Sequence, residues 1–344
     1  MPEISVIIVN WNGKHFLGEC LSAMRRQKFT DFETILVDNG STDGSVDYIR
    51  AQFPEVRLLA LPRNLGFTGG NLAGYELAAG NLIVLLNNDT EAHPAWLEEI
   101  HKGSLEYLEA GSFASKMMYF DDRQRIENCG FHVSTAGTTA ELGRNEFDGP
   151  DWTFARKVFG ACGGAAAYRR SMLDDIGFLD PDFFMIYEDV DLSFRAQLSG
   201  YECVYLPQAV VYHRYRATIG KQPALQVFYA QRNIDLVFWK NLPTGQLLRS
   251  APQRLLYEIG SALYFLGLGS GRAFLRAKLD VLKRLPSTLE KRRAIHKRKT
   301  ITSAQLRARM RDSAFTSKWK KFFSIKAGLR ALWSNSESVR GHNP

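Results

Sequence analysis

The sequence is poor in cysteine, and the few cysteines that it has form no recognisable pattern. Its four cysteines, Cys20, Cys129, Cys162 and Cys203, are widely separated among 344 residues and include no C-x-x-C pair. Neither a zinc site nor a disulfide framework is therefore indicated. Scattered thiols of this kind are typical of proteins from a reducing compartment.

Long apolar runs are also missing. The longest uncharged stretch of the C-terminal region, residues 259–271, holds thirteen residues and four glycines, whereas a membrane-spanning helix needs about 20 apolar residues. We interpret this stretch as an interfacial or core helix. The apolar run from Ile4 to Val9 follows no basic segment and is too short for the core of a signal peptide. It is expected to form a strand.

Acidic residues are scarce in the last third of the chain. Residues 243–344 hold 22 Lys or Arg and 5 Asp or Glu, a net charge of +17, whereas residues 1–242 have a net charge of −9. We therefore predict two parts, an α/β domain over 1–242 and a basic amphipathic helical region over 243–344. Such asymmetry indicates an anionic partner for the tail, either nucleic acid or a phospholipid surface.

The first 110 residues alternate short apolar runs with helical patterns. The runs are ISVIIV, FETILVD, VRLLAL and LIVLLN, and the helical patterns cover 14–27, 44–53, 69–79 and 94–109. Runs that are apolar at every position are typical of strands in a parallel sheet covered by helices on both faces. Ligands of such sheets bind beyond the carboxyl ends of the strands. Asn10, Asp38 and Asn87 to Asp89 follow these runs and are the first candidates for a site.

Two polar motifs follow strands directly. In VDNGSTDGS, residues 37–45, Asp38 precedes a tight turn, which is also what an ordinary connection from strand to helix requires. In LLNNDTEAHP, residues 85–94, Asp89 is placed to bind Mg²⁺ or Mn²⁺ together with substrate phosphates, or else to cap the next helix. A third motif, RNLGFTGGNLAG at 63–74, lacks the G-x-G-x-x-G spacing of dinucleotide-binding proteins. That absence argues against an oxidoreductase.

The stretch IYEDVDLSFR, residues 186–195, crowds Glu188, Asp189 and Asp191 into four positions. Like charges this close repel each other, so the cluster is either a functional site or a charged helix start. We assign Asp191 to a solvated helix start, with Arg195 one turn later balancing the charge.

Taken in order, SVIIVNWNG, VDNGSTDGS, RNLGFTGGN, LLNNDT, GACGGAAAYRR and FLDPDFFMIYEDVDLSFRAQLSGY resemble the family 2 inverting glycosyltransferases with the GT-A fold. The resemblance covers roughly residues 3 to 240. Within the family, the sequence is most similar to the bacterial rhamnosyltransferase-like branch that acts on polyprenol-linked or cell-surface glycans. The resemblance implies a Rossmann-like, mostly parallel α/β sheet flanked by helices.

The resemblance also implies roles for individual residues. Asp38 matches the carboxylate that contacts the nucleotide base, and Asn10 lies in the first nucleotide-binding loop. Asn87-Asn88-Asp89 matches the D-x-D metal motif, with Asn87 in place of its first Asp, and His213 matches a position that assists the metal or the pyrophosphate. Glu188-Asp189 matches the E-D motif, whose carboxylate deprotonates the acceptor. The remaining implied positions are Asn64 and Asn88 for the nucleotide, and Gly163, Gly164, Asp191 and Arg195 for the sugar and acceptor pocket.

The sequence as a whole therefore predicts a metal-dependent inverting glycosyltransferase that uses Mg²⁺ or Mn²⁺ and a nucleoside-diphosphate sugar, with L-rhamnose as the expected sugar. The acceptor is expected to be a polyprenol-linked or surface glycan, and the enzyme to lie on the cytoplasmic, anionic face of the membrane. Two alternatives stay open: transfer of another hexose from a UDP- or GDP-sugar, and a non-catalytic protein that binds sugar nucleotides. Trp319, Phe322 and Phe323 in the tail form no recognition module, so no nucleic-acid partner is expected.

Overall fold

The computed structural model describes residues 1–214 and 223–311, so Trp319, Phe322 and Phe323 lie outside the described residues. The strands are β1 (Ile4–Asn10), β2 (Phe32–Asp38), β3 (Arg57–Ala60), β4 (Leu82–Asn87), β5 (Thr90–Ala92), β6 (Ala110–Tyr119), β7 (Ile126–Asn128), β8 (Phe131–Val133), β9 (Thr139–Glu141), β10 (Arg156–Val158), β11 (Ala165–Arg169) and β12 (Glu202–His213). The helices are α1 (Lys14–Arg25), α2 (Ser45–Gln52), α3 (Gly66–Tyr75), α4 (Trp96–Glu106), α5 (Arg170–Ile176), α6 (Glu188–Leu198), α7 (Pro223–Asn241), α8 (Thr244–Gly267), α9 (Gly271–Arg298) and α10 (Ser303–Arg309).

One mixed sheet forms the centre of the fold, in the order β10-β12-β6-β11-β4-β1-β2-β3. β1 pairs in parallel with both β2 and β4, and β2 pairs in parallel with β3. Strand β11 is antiparallel to both of its neighbours, β4 and β6. The register places Asn10 opposite Asp38 at the carboxyl ends of β1 and β2. The predicted α/β fold with a mostly parallel sheet flanked by helices is confirmed.

The central strands are apolar at successive positions because both faces of the sheet are covered. On β1, Ile4, Val6 and Ile8 pack in the cluster that contains α1, whereas Ile7 packs in the cluster on the opposite face. Alternate side chains of a strand point to opposite faces, so a strand buried on both sides needs an apolar residue at each position. The four strands predicted from these runs are β1 to β4.

The C-terminal region is helical, as predicted. Among the described residues, no helix combines the length and the apolar character needed to cross a bilayer. The uncharged stretch 259–271 covers the end of α8 and the turn before α9, and Leu263 and Leu266 within it are 59% and 64% exposed. It is therefore not a core helix. Helix α7, which precedes the predicted boundary at 242, packs against α9 beyond it, and the two-part division stays a prediction.

Candidate active site

The polar side chains at the ends of β1, β2 and β4 form one hydrogen-bonded group. Asn10 Nδ2 donates to Asp38 Oδ1 at 3.0 Å, and Asn88 Nδ2 donates to Asn10 Oδ1 at 2.7 Å. The second carboxylate oxygen of Asp38 accepts the backbone N–H of Ser41 at 2.9 Å. The three side chains gather here because parallel strands end at the same edge of the sheet. Asn10, Asp38 and Asn88, the residues that the sequence assigns to nucleotide binding, thus lie together.

Asn39 joins the third predicted motif to this group. Its side chain donates to Asn64 Oδ1 at 3.1 Å and to the carbonyl oxygen of Gly66 at 2.9 Å. Gly66 has φ +76°, and a Cβ atom on it would lie 2.3 Å from the carbonyl oxygen of Phe184. Only glycine fits this close approach. The loop that holds Asn64 is thereby seated against the segment that leads to α6.

Asp89 and His213 meet on the other side of the site. His213 Nε2 lies 3.2 Å from Asp89 Oδ1, and His213 Nδ1 lies 2.7 Å from a carboxylate oxygen of Glu127. Burial alone would lower the pKa of His213, but hydrogen bonds with Asp89 and Glu127 outweigh it and raise the pKa to about 10. The two carboxylates therefore favour the imidazolium form of His213.

This pair suits a divalent cation that also binds phosphate. Mg²⁺ and Mn²⁺ sites of this kind use one or two protein ligands and complete their shell with water and substrate phosphates. Asp89 offers a carboxylate oxygen and His213 a ring nitrogen, while Glu127 orients the ring from its far side, as outer-shell carboxylates do in metal sites. In the described part of the chain, no cluster of three or more His, Cys, Asp or Glu side chains is arranged to hold an ion.

The two predicted glycines connect this side to the acidic cluster. The carbonyl oxygen of Gly164 accepts the backbone N–H of Asn87 at 2.9 Å, and the N–H of Gly163 donates to Asp189 Oδ2 at 3.0 Å. Asn87 Nδ2 in turn lies 3.4 Å from His213 Nε2. These polar contacts, joined by the peptide links between Asn87 and Asn88 and between Gly163 and Gly164, therefore connect the strand ends to the start of α6.

Glu188 and Asp189 differ in their surroundings, although they are neighbours in sequence. Burial, followed by the charge of Asp189, raises the pKa of Glu188 to about 8, and its Oε2 atom has no hydrogen-bond partner. Burial also raises the pKa of Asp189, whereas backbone N–H groups of Gly163 and Val190 oppose the rise. Because the N–H groups of Gly163 and Val190 stabilise a carboxylate at Asp189, whereas Glu188 Oε2 has no partner, Asp189 is the better candidate to accept a proton.

A strained turn positions these two carboxylates. Ile186 and Tyr187, directly before α6, have φ angles of 68° and 73°, a conformation that a β-branched residue such as Ile adopts only under constraint. Asn233 of α7 supplies a constraint, because its Nδ2 donates to the carbonyl oxygens of Met185 at 2.8 Å and Ile186 at 2.6 Å. Helix α7 thus fixes the entry of the chain into α6.

The expected charge balance between Asp191 and Arg195 is confirmed, whereas a solvated helix start at Asp191 and a sugar and acceptor pocket lined by these two residues are wrong. Asp191 is fully buried rather than solvated, and its carboxylate pairs with Arg195 at 3.0 Å and with Lys240 at 2.9 Å. Burial alone would raise the pKa of Asp191, but Lys240 and Arg195 hold it below its usual range. Arg195 also donates to three backbone carbonyl groups at 176–178. Both side chains therefore join α6 to its neighbours and do not line a sugar or acceptor pocket.

Sequence reasoning missed several residues of the site. Asn39 stood within a motif already singled out, so its position after Asp38 was a usable signal. Glu127 is 86 positions from His213, and Asn233 is 47 positions from Ile186. No local pattern marks such residues, because only the packing of the sheet and of α7 brings them to the site.

Comparison with known proteins places this fold and site in a family. Residues 5–177 match the family described as glycosyl transferase family 2. The chain therefore belongs to glycosyl transferase family 2, and its fold is GT-A. The curated N-acetylglucosaminyl-diphospho-decaprenol L-rhamnosyltransferase of Mycobacterium tuberculosis is 27% identical over 248 residues, which is 64% of this chain and 79% of that protein.

Two solved structures share the fold. One is S. aureus TarS 1–349 in complex with UDP, with a TM-score of 0.53, 16% identity and coverage of 89% of each chain. The other is the mannosyltransferase PcManGT from Pyrobaculum calidifontis in complex with GDP-Man and Mn²⁺, with a TM-score of 0.50 and 16% identity. That match covers 90% of this chain and 86% of PcManGT.

Proposed function

We propose that this protein is an inverting glycosyltransferase that moves L-rhamnose from a nucleoside-diphosphate sugar to a polyprenol-linked or cell-surface glycan. The proposal rests on one observation. Residues suited to bind a nucleotide, Asn10 and Asp38, and a carboxylate suited to act as general base, Asp189, belong to one polar site at one edge of the sheet. The choice of rhamnose is supported by the relative from Mycobacterium tuberculosis, whose name specifies L-rhamnosyl transfer to a decaprenol-linked sugar.

The nucleotide end consists of Asn10, Asp38, Asn64 and Asn88. The second carboxylate oxygen of Asp38 and the amides around it provide donors and acceptors for a base and a ribose. Between this end and the acidic cluster, Asp89 and His213 would hold Mg²⁺ or Mn²⁺ against the diphosphate. When bound, the cation supplies positive charge that stabilises the departing diphosphate.

Asp189 acts as the base in this proposal. The acceptor hydroxyl oxygen forms a bond to the anomeric carbon on the side opposite the diphosphate, and the bond from that carbon to the diphosphate oxygen breaks. The hydroxyl proton passes to the Asp189 carboxylate, which Gly163 N–H orients. In this proposal, Glu188 uses its Oε2 atom, which has no partner in the protein, to orient the acceptor. Attack from the opposite side inverts the configuration of the anomeric carbon.

A polyprenol-linked acceptor lies in a membrane, so we place the enzyme peripherally on the anionic, cytoplasmic face. The net charge of +17 over residues 243–344 supports this location, because basic segments near anionic lipid are attracted to the surface.

The test is a panel of nucleoside-diphosphate sugars, comprising rhamnose, UDP-hexose and GDP-hexose donors, incubated with a polyprenol-linked acceptor. We expect release of nucleoside diphosphate with the rhamnose donor in Mn²⁺ or Mg²⁺, and none in excess chelator or with Asp89→Ala. Turnover of a UDP- or GDP-hexose alone would replace rhamnose with that sugar. Tight donor binding without any turnover would indicate a non-catalytic sugar-nucleotide protein.

A further inference from the structure

Exposed aliphatic side chains are concentrated on the hairpin formed by α8 and α9. Among the described residues, ten of nineteen exposed large hydrophobic side chains lie between positions 248 and 282. They are Leu248, Leu255, Leu256, Ile259, Leu263, Leu266, Leu268, Leu275, Leu279 and Leu282. Single exposed leucines are ordinary, but a contiguous set marks a surface that contacts something apolar.

The spacing of these residues defines a stripe on each helix. At about 100° per residue, the six exposed aliphatic positions within α8, from Leu248 to Leu266, fall within an arc of about 100°. This is the width of the apolar face of an amphipathic helix. On α9, Leu275, Leu279 and Leu282 share a narrower arc. We call these two arcs the leucine stripe.

Basic side chains border the leucine stripe on α9. Arg272, Arg276 and Lys283 are exposed and occupy the arc next to the three leucines. Within the described part of the chain, none of the three has an ion-pair partner. In contrast, Lys278 on the inner side of the same helix pairs with Asp235 at 2.7 Å and with Glu258 at 2.6 Å. The inward cations are therefore neutralised, and the outward ones are available to an anionic partner.

We propose that the leucine stripe is the surface by which this protein docks on an anionic lipid bilayer. The inference rests on the proposed membrane location and adds the face that makes the contact. Leucines would enter the boundary between headgroups and acyl chains, while the bordering cations contact lipid phosphates, as in interfacial amphipathic helices. A second copy of this chain is the other apolar partner to consider. In such a dimer, the outward cations of α9 in the two copies would repel each other. Anionic lipid would instead neutralise these cations.

The test uses the full chain and flotation with vesicles of phosphatidylcholine and phosphatidylglycerol. We expect Leu255→Gln/Leu263→Gln/Leu266→Gln to lower the partition coefficient at least about tenfold, since three apolar side chains leave the lipid contact. The matched control is Leu105→Gln/Leu108→Gln, which removes two leucines that are 64% and 73% exposed near the end of α4. The control should bind like the wild type.

A second variant separates the role of charge from that of apolar contact. Arg272→Gln/Arg276→Gln/Lys283→Gln should lose most of the difference in binding between phosphatidylglycerol vesicles and pure phosphatidylcholine vesicles, together with most of the salt dependence. Equal flotation of the wild type and the leucine variant would overturn the proposal. So would a wild type that ignores vesicles but forms a dimer that the leucine variant disrupts, because the stripe would then bind a second copy.

Turnover of a soluble donor tests the proposed function independently of binding to vesicles. The leucine variant should release nucleoside diphosphate from a soluble donor and acceptor at the wild-type rate, since its changes lie outside the site. Failure of flotation with intact turnover would reject only the docking surface. Intact flotation without turnover of any donor would reject the proposed function and leave the docking surface standing.

Discussion

At the scale of single residues, the acidic pair at the start of α6 divides its roles by environment. Asp189 has its Oδ2 atom fixed by Gly163 N–H at 3.0 Å, whereas Glu188 has a buried Oε2 atom without a partner. Neighbouring carboxyl groups whose surroundings differ in this way are common in sites that move a proton.

Asp189→Asn should lower kcat by about a hundredfold or more, since general-base catalysis typically contributes 10²–10⁴-fold. Donor affinity, measured by calorimetry, should stay near the wild-type value because the amide keeps the size of the carboxylate and one acceptor oxygen. Asp174→Asn, on the surface helix α5, is the control and should keep full activity. Normal turnover by Asp189→Asn together with an inactive Glu188→Gln would assign the base to Glu188 instead.

Because the pKa of Glu188 is raised, the difference in stability between the wild type and Glu188→Gln should depend on pH. Between about pH 5 and the folded-state pKa of about 8, the unfolded chain loses this proton and the folded chain keeps it. The contribution of Glu188 to the free energy of unfolding therefore falls as pH rises, by at most about 1.4 kcal/mol per pH unit. Glu188→Gln cannot titrate, so urea unfolding should show it gaining stability over the wild type from pH 5 to pH 8. A difference independent of pH would contradict the raised pKa.

At the scale of elements, α7 and α9 hold the segment that leads to the acidic pair. Lys240 of α7 lies 2.5 Å from Asp180, and Lys291 of α9 lies 2.5 Å from Asp182 and 2.6 Å from Asp180. Burial alone would raise the pKa of Asp180, but Lys240 and Lys291 outweigh it and hold the pKa below its usual range. The loop before α6 is therefore tied to two helices that are distant in sequence.

Asn233→Ala should release the strained turn at Ile186 and Tyr187, since each residue in this conformation costs about 1–3 kcal/mol unless its surroundings hold it. We expect kcat to fall on the order of tenfold to a hundredfold, because small displacements of a catalytic group are costly, while KM for the donor changes little. Steady-state kinetics on folded protein measures this split.

Asn241→Ala is the matched control for that variant. It removes another buried amide of α7, one that donates to Asp191 at 2.8 Å and not to the turn. It should lower the melting temperature while largely sparing kcat. Equal losses of kcat in both variants would mean that Asn233 acts only through general stability.

At the scale of the whole molecule, the acidic part, residues 1–242, and the basic part, residues 243–344, meet where α9 contacts the segment before α6. The same helices share an apolar cluster: Leu236 and Val237 of α7 pack with Val281, Ile301 and Leu306 from beyond the predicted boundary. The C-terminal helices therefore complete the core around α7 as well as supplying cations to Asp180 and Asp182.

A chain ending at residue 242 should consequently melt about 10 °C or more below the full chain, or aggregate on expression. The apolar face of α7 would lose its cover, and each 1 kcal/mol of lost stability corresponds to about 2–4 °C for a domain of this size. Calorimetry gives the melting temperature. A chain ending at residue 311, which retains all the described helices, is the control. Equal melting of residues 1–242 and the full chain would establish an independent domain.

The sequence by itself determined the local elements and the family. Apolar runs at every position specified strands covered on both faces, and polar residues placed directly after those runs had to meet at one edge of the sheet. Asn10, Asp38 and Asn88 were found in this way, because their partnership follows from strand order and period. Motif order also carried the family resemblance, since motifs of a shared fold keep their sequence even at low identity.

Only the tertiary structure decided which acidic residue is buried for stability and which faces the site. Asp189 and Asp191 are two positions apart on one helix, so they point in different directions, and their surroundings depend on what packs there. Lys240, Asn233 and Glu127 come from elements 40 to 90 positions away, and no local pattern encodes their approach. The exposed leucines of α8 and α9 likewise have the periodicity of core residues, and only the packing of the helices reveals which side of each remains uncovered.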